Sequence, residues 1–268
     1  MKNSKIIIMT IAIVLLVALL GFLIFGVVKK LTYKPQNPIA TIEVENYGTI
    51  KVELYPDIAP NTVTNFIRLA NRGFYNGLLF HRTQPNFMIQ GGDKNGDGTG
   101  SPRLSDIVDG GEEKEYNIKG EFIANNYNNN TLKFEKGVIA MCRADYSSIS
   151  SSLKEEGYNS AGSQFFIMNV DNNSINGMYC GFGKVIEGLE VVDAIANVEV
   201  YYRTSELAEG EEAPKDEDGN QIASDKPKTD VVIKSISVET FGVDYGIPET
   251  QDVFSYYDWL MRYYNFYN

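Results

Sequence analysis

The chain holds few residues able to move protons or form covalent intermediates. Its single histidine, His81, lies between Phe80 and Arg82. No serine or cysteine stands beside it to complete a nucleophile–base pair, so it reads as a structural histidine. Cys142 and Cys180 are the two cysteines. They form no CxxC and no Cys/His zinc spacing, and two buried free thiols are expected over a disulfide, whose geometry the sequence leaves open. The run DKNGDGTGS from Asp93 imitates the start of a calcium loop, with Asp93, Asn95, Asp97 and Gly98 in ligand and turn positions. Leu104 stands where that loop needs its bidentate carboxylate, so a glycine-rich turn is expected. Neither a metal nor a cofactor is called for. Any chemistry here should need no strong acid, strong base or bound ion.

The elements that must position these residues are mostly strands. IATIEVENYGTIKVELY alternates apolar and polar residues on both sides of Asn46-Tyr47-Gly48, the period of two that marks a β-hairpin. In DIAPNTVTNFIRLANRGFY, Pro60 suits a first helical turn, and Val63, Phe66, Ile67 and Ala70 share one stripe. Gly73 supplies the stop. Short apolar strands follow at LLFHR, FMIQGG, KGVIAMCR, SQFFIMNV, CGFGKV and DVVIKSISVET, with a second helix at GLEVVDAIA. Many short strands and only two helices predict a mainly β domain, an antiparallel barrel or sandwich. The loop from Lys94 to Gly111, the serine-rich stretch 145–160 and the acidic stretch 205–230 interrupt this pattern. The last has almost no apolar residues and reads as a solvated excursion.

Outside the domain, residues 1–5 form a short tail and 6–28 is an uncharged apolar run. As a helix rising about 1.5 Å per residue it would cross a hydrocarbon core of about 30 Å. It lacks the small-x-small cleavage pattern of a signal peptide, so a retained transmembrane anchor contacting the lipid bilayer is expected. Lys2 and Lys5 on one side balance Lys29, Lys30 and Lys34 on the other, and the positive-inside rule returns a near tie. The layout of a short tail, a long apolar run and a large domain favours an extracytoplasmic domain at a bacterial cell membrane. Residues 29–38 read as a linker with two prolines, and 242–268 as an aromatic-rich tail. That tail is expected to be a helix docked on the domain, with an adhesive surface as the alternative. Five of the 24 Lys and Arg, and none of the 35 Asp and Glu, lie in residues 1–34. The remainder is thus more acidic than the whole chain's −11, which argues against nucleic acid as a partner.

Two segments are more distinctive than any of these features: FHRTQPNFMIQGGD (Phe80 to Asp93) and NSAGSQFFIMN (Asn159 to Asn169). With GVIAMCRA, FGKVIEG and the NTVTNF helix in the same order, the chain resembles the cyclophilin-type peptidyl-prolyl cis-trans isomerases. The resemblance covers 39–241, with 145–160 and 205–230 as polar insertions. It implies an eight-stranded antiparallel β-barrel capped by two α-helices, here preceded by one transmembrane helix. It also implies catalysis of rotation about X-Pro bonds in proline-containing polypeptide clients, without a cofactor.

By the same resemblance Arg82 is the catalytic cation and Gln90 the glutamine that holds it. Phe87, Met88, Phe166 and Ile175 match the positions lining a proline socket. Gln164 matches another substrate contact, and Tyr179 stands where a histidine is common. Backbone groups of Cys142, Arg143 and Ala144 match those pairing with the extended substrate, and Gly98 falls in the matching glycine-rich turn. The serine-rich insertion, just before GSQFF, is expected at the rim of the groove. Two readings stay open at this point: a folding enzyme for exported or surface proteins, and a non-catalytic anchored module that grips proline-containing segments.

Overall fold

The structure, a computed structural model of the chain, describes residues 2–32, 36–203, 206–207, 211–216 and 218–267. The chain divides into two compact units, Met1–Gln36 and Asn37–Asn268. The first consists of helix α1 (Lys2–Thr32), which contains the apolar run. Among the described residues, no helix is long and apolar enough to cross a membrane. The expected transmembrane anchor over 6–28 is therefore not borne out as a span. The side chains at 6–8, 12, 26 and 27, which belong to that run, lie outside the described residues. Part of the expected linker, residues 33–35, also lies outside them.

The second unit opens with the expected hairpin, β1 (Ile39–Val44) and β2 (Gly48–Leu54), paired antiparallel with Ile42 opposite Ile50. The turn is made by Asn46 at φ 62° and Gly48 at φ 121°, backbone states that asparagine and glycine tolerate best. Helix α2 (Pro60–Asn71) buries Val63, Phe66, Ile67 and Ala70. It ends as expected at Gly73, φ 77°. The Gly73 N–H donates to the Ala70 carbonyl and the Phe74 N–H to the Leu69 carbonyl, the paired bonds of a Schellman cap. At its other end, Ala59 offers no side-chain cap. The Glu121 carboxylate substitutes, accepting from the Asn61 N–H at 3.1 Å, the Thr62 N–H at 2.8 Å and the Thr62 hydroxyl at 2.7 Å.

The remaining elements are β3 (Arg82–Gln84), β4 (Met88–Gly91), α3 (Leu104–Ile107), β5 (Tyr116–Asn117) and β6 (Val138–Met141). They continue with α4 (Lys154–Tyr158), β7 (Phe165–Met168), β8 (Gly181–Glu187), α5 (Leu189–Ala196), β9 (Ile233–Glu239), β10 (Gln251–Asp252) and α6 (Tyr256–Tyr267). Eight strands form one antiparallel curled sheet in the order β3-β4-β7-β6-β8-β2-β1-β9. Its two ends approach each other: the Phe80 N–H donates to the Val231 carbonyl at 2.9 Å, and the Gly77 N–H to that of Ile233 at 2.8 Å. Curling removes most of the unpaired edge that an open sheet would expose. α2 and α5 are the two expected helices. The structure adds α3 and α4, each too short to show a helical period in sequence, and places α6 in the aromatic tail, where a helix was expected.

Side chains alternate between the faces of this sheet. Ile89, Ile139, Phe165 and Ile167 enter the main core with Phe66, Tyr75, Phe80 and Phe182. Their neighbours Met88, Val138, Ala140, Phe166 and Met168 build a second, smaller apolar cluster with Phe134.

Two expectations change. The acidic stretch 205–230, read as a solvated excursion, is anchored near its end: Asp225 is buried and Val200 bridges Pro227. Tertiary ion pairs and backbone bonds hold it, which an apolar count cannot register. In the tail, β10 pairs with β5, and the Phe254 ring lies 4.8 Å from that of Tyr146 in the serine-rich insertion. The strap before α6 thus docks, while Tyr256 and Tyr257 on α6 remain exposed.

Candidate active site

Strand register sets out the site. Arg82 on β3 pairs with Gln90 on β4, and Gln90 with Phe166 on β7, which in turn pairs with Ala140 on β6. Directly opposed residues in a sheet stand side by side on one face, so three strands carry a row from a guanidinium to an aromatic ring, and a fourth extends it to Ala140. Met88, two residues from Gln90, shares that face. Arg82, Phe87, Met88, Gln90, Cys142, Arg143, Phe166 and Tyr179 line a cavity of about 210 Å³. Its apolar wall is the outer cluster, where the Phe166 ring stacks on Phe134 at 6.1 Å and meets Tyr179 edge-on at 5.5 Å.

The polar side is a chain of amides. Arg82 donates from Nη1 to Gln90 Oε1 at 3.4 Å, and Gln90 donates from Nε2 to Gln164 Oε1 at 3.0 Å. Gln164 in turn donates to the Gly98 carbonyl at 2.9 Å. The glycine-rich loop is folded around Asp93, buried, whose Oδ2 accepts the N–H groups of Asp97 and Gly98 at 2.8 and 2.7 Å. The aspartate that imitates a calcium ligand is thus spent on backbone amides. A Cβ on Gly100 would lie 2.3 Å from Asp93 Oδ1, so the turn admits only glycine there.

A second cavity, about 340 Å³, adjoins the first and shares Gln90, Cys142 and Arg143 with it. Gly98, Ala144 and Gln164 line it, as do Tyr146 and Ser160 of the serine-rich insertion and Val253 of the C-terminal strap. The insertion therefore does reach a groove rim. Of the residues the resemblance assigns to the site, Ile175 alone lines neither cavity; it packs against the outer cluster.

The other ionisable groups offer little reactivity. Both cysteines are free. Burial pushes each thiol up to about 12, although the Arg82 charge partly opposes this at Cys142 and the Thr62 hydrogen bond at Cys180. Neither is a thiolate at neutral pH. His81 is buried, and neither ring nitrogen makes a hydrogen bond of good geometry. Burial lowers its pKa against the opposing charge of Asp93, which keeps a neutral ring beside the core.

Sequence reading missed the residues behind Arg82. Asp225 Oδ2 lies 3.6 Å from Arg82 Nε, and Asp225 Oδ1 lies 3.0 Å from Nη1 of Arg203. No local pattern marks them, because 143 positions separate Arg82 from Asp225 along the chain. Arg143 was read for its backbone, yet its guanidinium lies 4.6 Å from the Tyr179 ring and 4.8 Å from that of Tyr158, a cation–π sandwich at the wall between the cavities.

Known proteins resemble this chain in sequence and fold. The family model for "Cyclophilin type peptidyl-prolyl cis-trans isomerase/CLD" matches residues 39–238. The chain is 38% identical over 157 residues to peptidyl-prolyl cis-trans isomerase B of Bacillus subtilis, covering 59% of this chain and 90% of that one. It is 39% identical over 158 residues to a peptidyl-prolyl cis-trans isomerase of Helicobacter pylori, covering 58% and 79%. A crystal structure of a Cryptosporidium parvum cyclophilin, determined in the presence of the dipeptide Ala-Pro, superposes with a TM-score of 0.52 at 29% identity. That likeness covers 75% of this chain and 98% of the other. The sheet, the row from Arg82 to Phe166 and a family match across 39–238 agree: the chain belongs to the cyclophilin family and is a peptidyl-prolyl cis-trans isomerase.

Proposed function

We propose that Arg82 is the catalytic group of this isomerase and that the outer apolar cluster receives the substrate proline. The observation that carries this reading is the pairing of Arg82 with Gln90 at the mouth of the cavity walled by Phe87, Met88, Phe166 and Tyr179. Rotation about an X-Pro bond is slow because twisting breaks amide resonance, with a barrier of about 18–20 kcal/mol. In the twisted state the prolyl nitrogen becomes pyramidal and gains lone-pair character. A guanidinium N–H held toward it stabilises that state more than the planar one. Gln90 limits the swing of the guanidinium, and the amide chain through Gln164 ties Gln90 to the glycine-rich loop. The apolar wall grips the proline ring, so rotation falls on the residue preceding it. The relative crystallised with Ala-Pro supports proline-containing peptides as ligands.

The test is NMR exchange spectroscopy of the full chain on an Ala-Ala-Pro-Phe peptide. The unmodified protein should accelerate exchange, and Arg82→Ala should lose about 10²–10³-fold in kcat/KM, the usual cost of removing a transition-state donor. Full activity in Arg82→Ala would overturn the assignment of the catalytic group.

The setting we infer is tethering to a lipid bilayer through residues 6–28, with clients among exported or surface proteins. Supporting this are the uncharged run itself, its helical conformation and the exposure of Leu15, Phe22 and Phe25. Alkaline carbonate extraction of membranes should leave the full chain in the pellet and release a variant lacking residues 1–36. Release of the full chain would refute the tether.

A further inference from the structure

We propose that Asp225 is a positioning residue for catalysis, a buried carboxylate that aims the Arg82 guanidinium from behind; the inference rests on Arg82 being the catalytic group. An arginine side chain has four flexible torsions and loses about 2 kcal/mol of rotamer freedom when fixed. Gln90 touches Arg82 only at Nη1, at 3.4 Å. One contact at one end leaves the planar group free to pivot. Asp225 supplies a second, at Nε on the opposite edge, 3.6 Å away. Two contacts on separate edges define both the direction and the plane of the fork.

The carboxylate is itself held rigidly. Its side chain is 3% exposed against 38% for Arg82. Oδ2 accepts from Gln84 Nε2 at 2.6 Å and from Ser224 Oγ at 3.1 Å, and Oδ1 accepts from Arg203 Nη1 at 3.0 Å. The Asp225 N–H donates to the Tyr202 carbonyl, and its carbonyl accepts from the Thr83 N–H, both at 2.9 Å. Thr83 and Gln84 follow Arg82 on β3, so the carboxylate is pinned to the strand that carries the catalytic side chain. Asp225 also sits at φ 60°, a left-handed state uncommon outside glycine, retained where surrounding bonds over-determine it.

Charge arithmetic gives the carboxylate a further effect. Arg203 Nη1 also donates to the Thr83 carbonyl at 3.0 Å, which fixes a second guanidinium near the first. With the anion present, two cations share one carboxylate. Without it two cations are left with no carboxylate between them, and like charges held near one another repel. Arg82, the more exposed of the two, is the one free to swing into solvent.

The experiment compares Asp225→Asn with the unmodified full chain, with kcat taken from NMR exchange at saturating Ala-Ala-Pro-Phe peptide and affinity from titration of the same peptide. A positioning role predicts that kcat falls about tenfold or more while affinity is unchanged. Unchanged kcat, or kcat and affinity falling together with the melting temperature, would overturn it. Should the variant fail to fold, the unmodified protein still decides: the Arg82 Nε–H should exchange with water far more slowly than that of an exposed arginine, and free exchange would sink the proposal. Arg82→Ala, measured alongside, separates the two ideas. Loss of activity there without loss in Asp225→Asn removes only the positioning role, whereas full activity in Arg82→Ala removes the reading beneath it.

Discussion

Phe165 and Phe166 are adjacent in sequence, equally aromatic and both buried, yet they belong to different structures. Phe165 points into the curled sheet, where its ring meets Phe66, Tyr75 and Phe80 at 5.6, 5.6 and 6.0 Å. Phe166 points outward and walls the cavity beside Arg82. The inner face is a closed contact set whose worth is stability. The outer face is a small cluster that walls a cavity of about 210 Å³, an arrangement that under the proposed reading gives up some packing to receive the proline ring. The pleat of one strand therefore divides folding from recognition residue by residue.

The largest expected effect tests the inner half of that division. Phe165→Ala should destabilise the protein by about 3–5 kcal/mol, the cost of removing a buried aromatic from a packed core, seen as a lower midpoint in urea. Phe166→Ala should cost less stability, while raising KM for an Ala-Pro peptide about tenfold or more through the lost wall of the socket. Equal destabilisation by both variants, with KM unmoved in Phe166→Ala, would break the comparison.

Smaller effects sharpen it. Glu121 caps α2 from the inner side, and Glu121→Ala leaves two backbone N–H groups and the Thr62 hydroxyl without that acceptor. A loss of about 1–3 kcal/mol is expected, with kcat unchanged because no substrate-facing group moves; a changed kcat at full folding would show that the faces are coupled.

His81 should give the smallest effect. Its folded pKa lies below the ordinary 6.5 because burial opposes the charge. Between that lowered value and 6.5 the unfolded chain binds more protons than the folded one, so stability rises with pH across this window and is lost as pH falls through it. Melting temperatures measured across the window should show a steeper fall for the unmodified protein than for His81→Gln. Superimposable profiles would show that His81 contributes nothing to the acid side.

Much of this was legible in the sequence because it is local. The alternation in FMIQGG and SQFFIMNV fixes which residues share a face once a strand forms, and it places Met88 and Gln90 together. Pro60 and Gly73 mark both ends of α2 through their own backbone preferences. The anchor at the end of the acidic stretch was not legible for the complementary reason: composition counts apolar residues, and what holds Asp225 is a carboxylate's pairing with two guanidiniums. Ile175, assigned by likeness to the socket, packs against the same outer cluster as Phe87 and Tyr179 without lining the cavity they wall.

The sequence by itself determined the strands, their faces and the glycine-rich turn, since each depends on neighbours a few residues away, while Arg82 is marked out by the family resemblance alone. Only the tertiary structure decided what stands behind Arg82, what caps α2 and which insertion residues reach the second cavity. Asp225 lies 143 positions from Arg82 and Glu121 59 from Thr62. Contacts of that kind exist because the sheet curls and brings its ends together, and no periodicity along the chain encodes them.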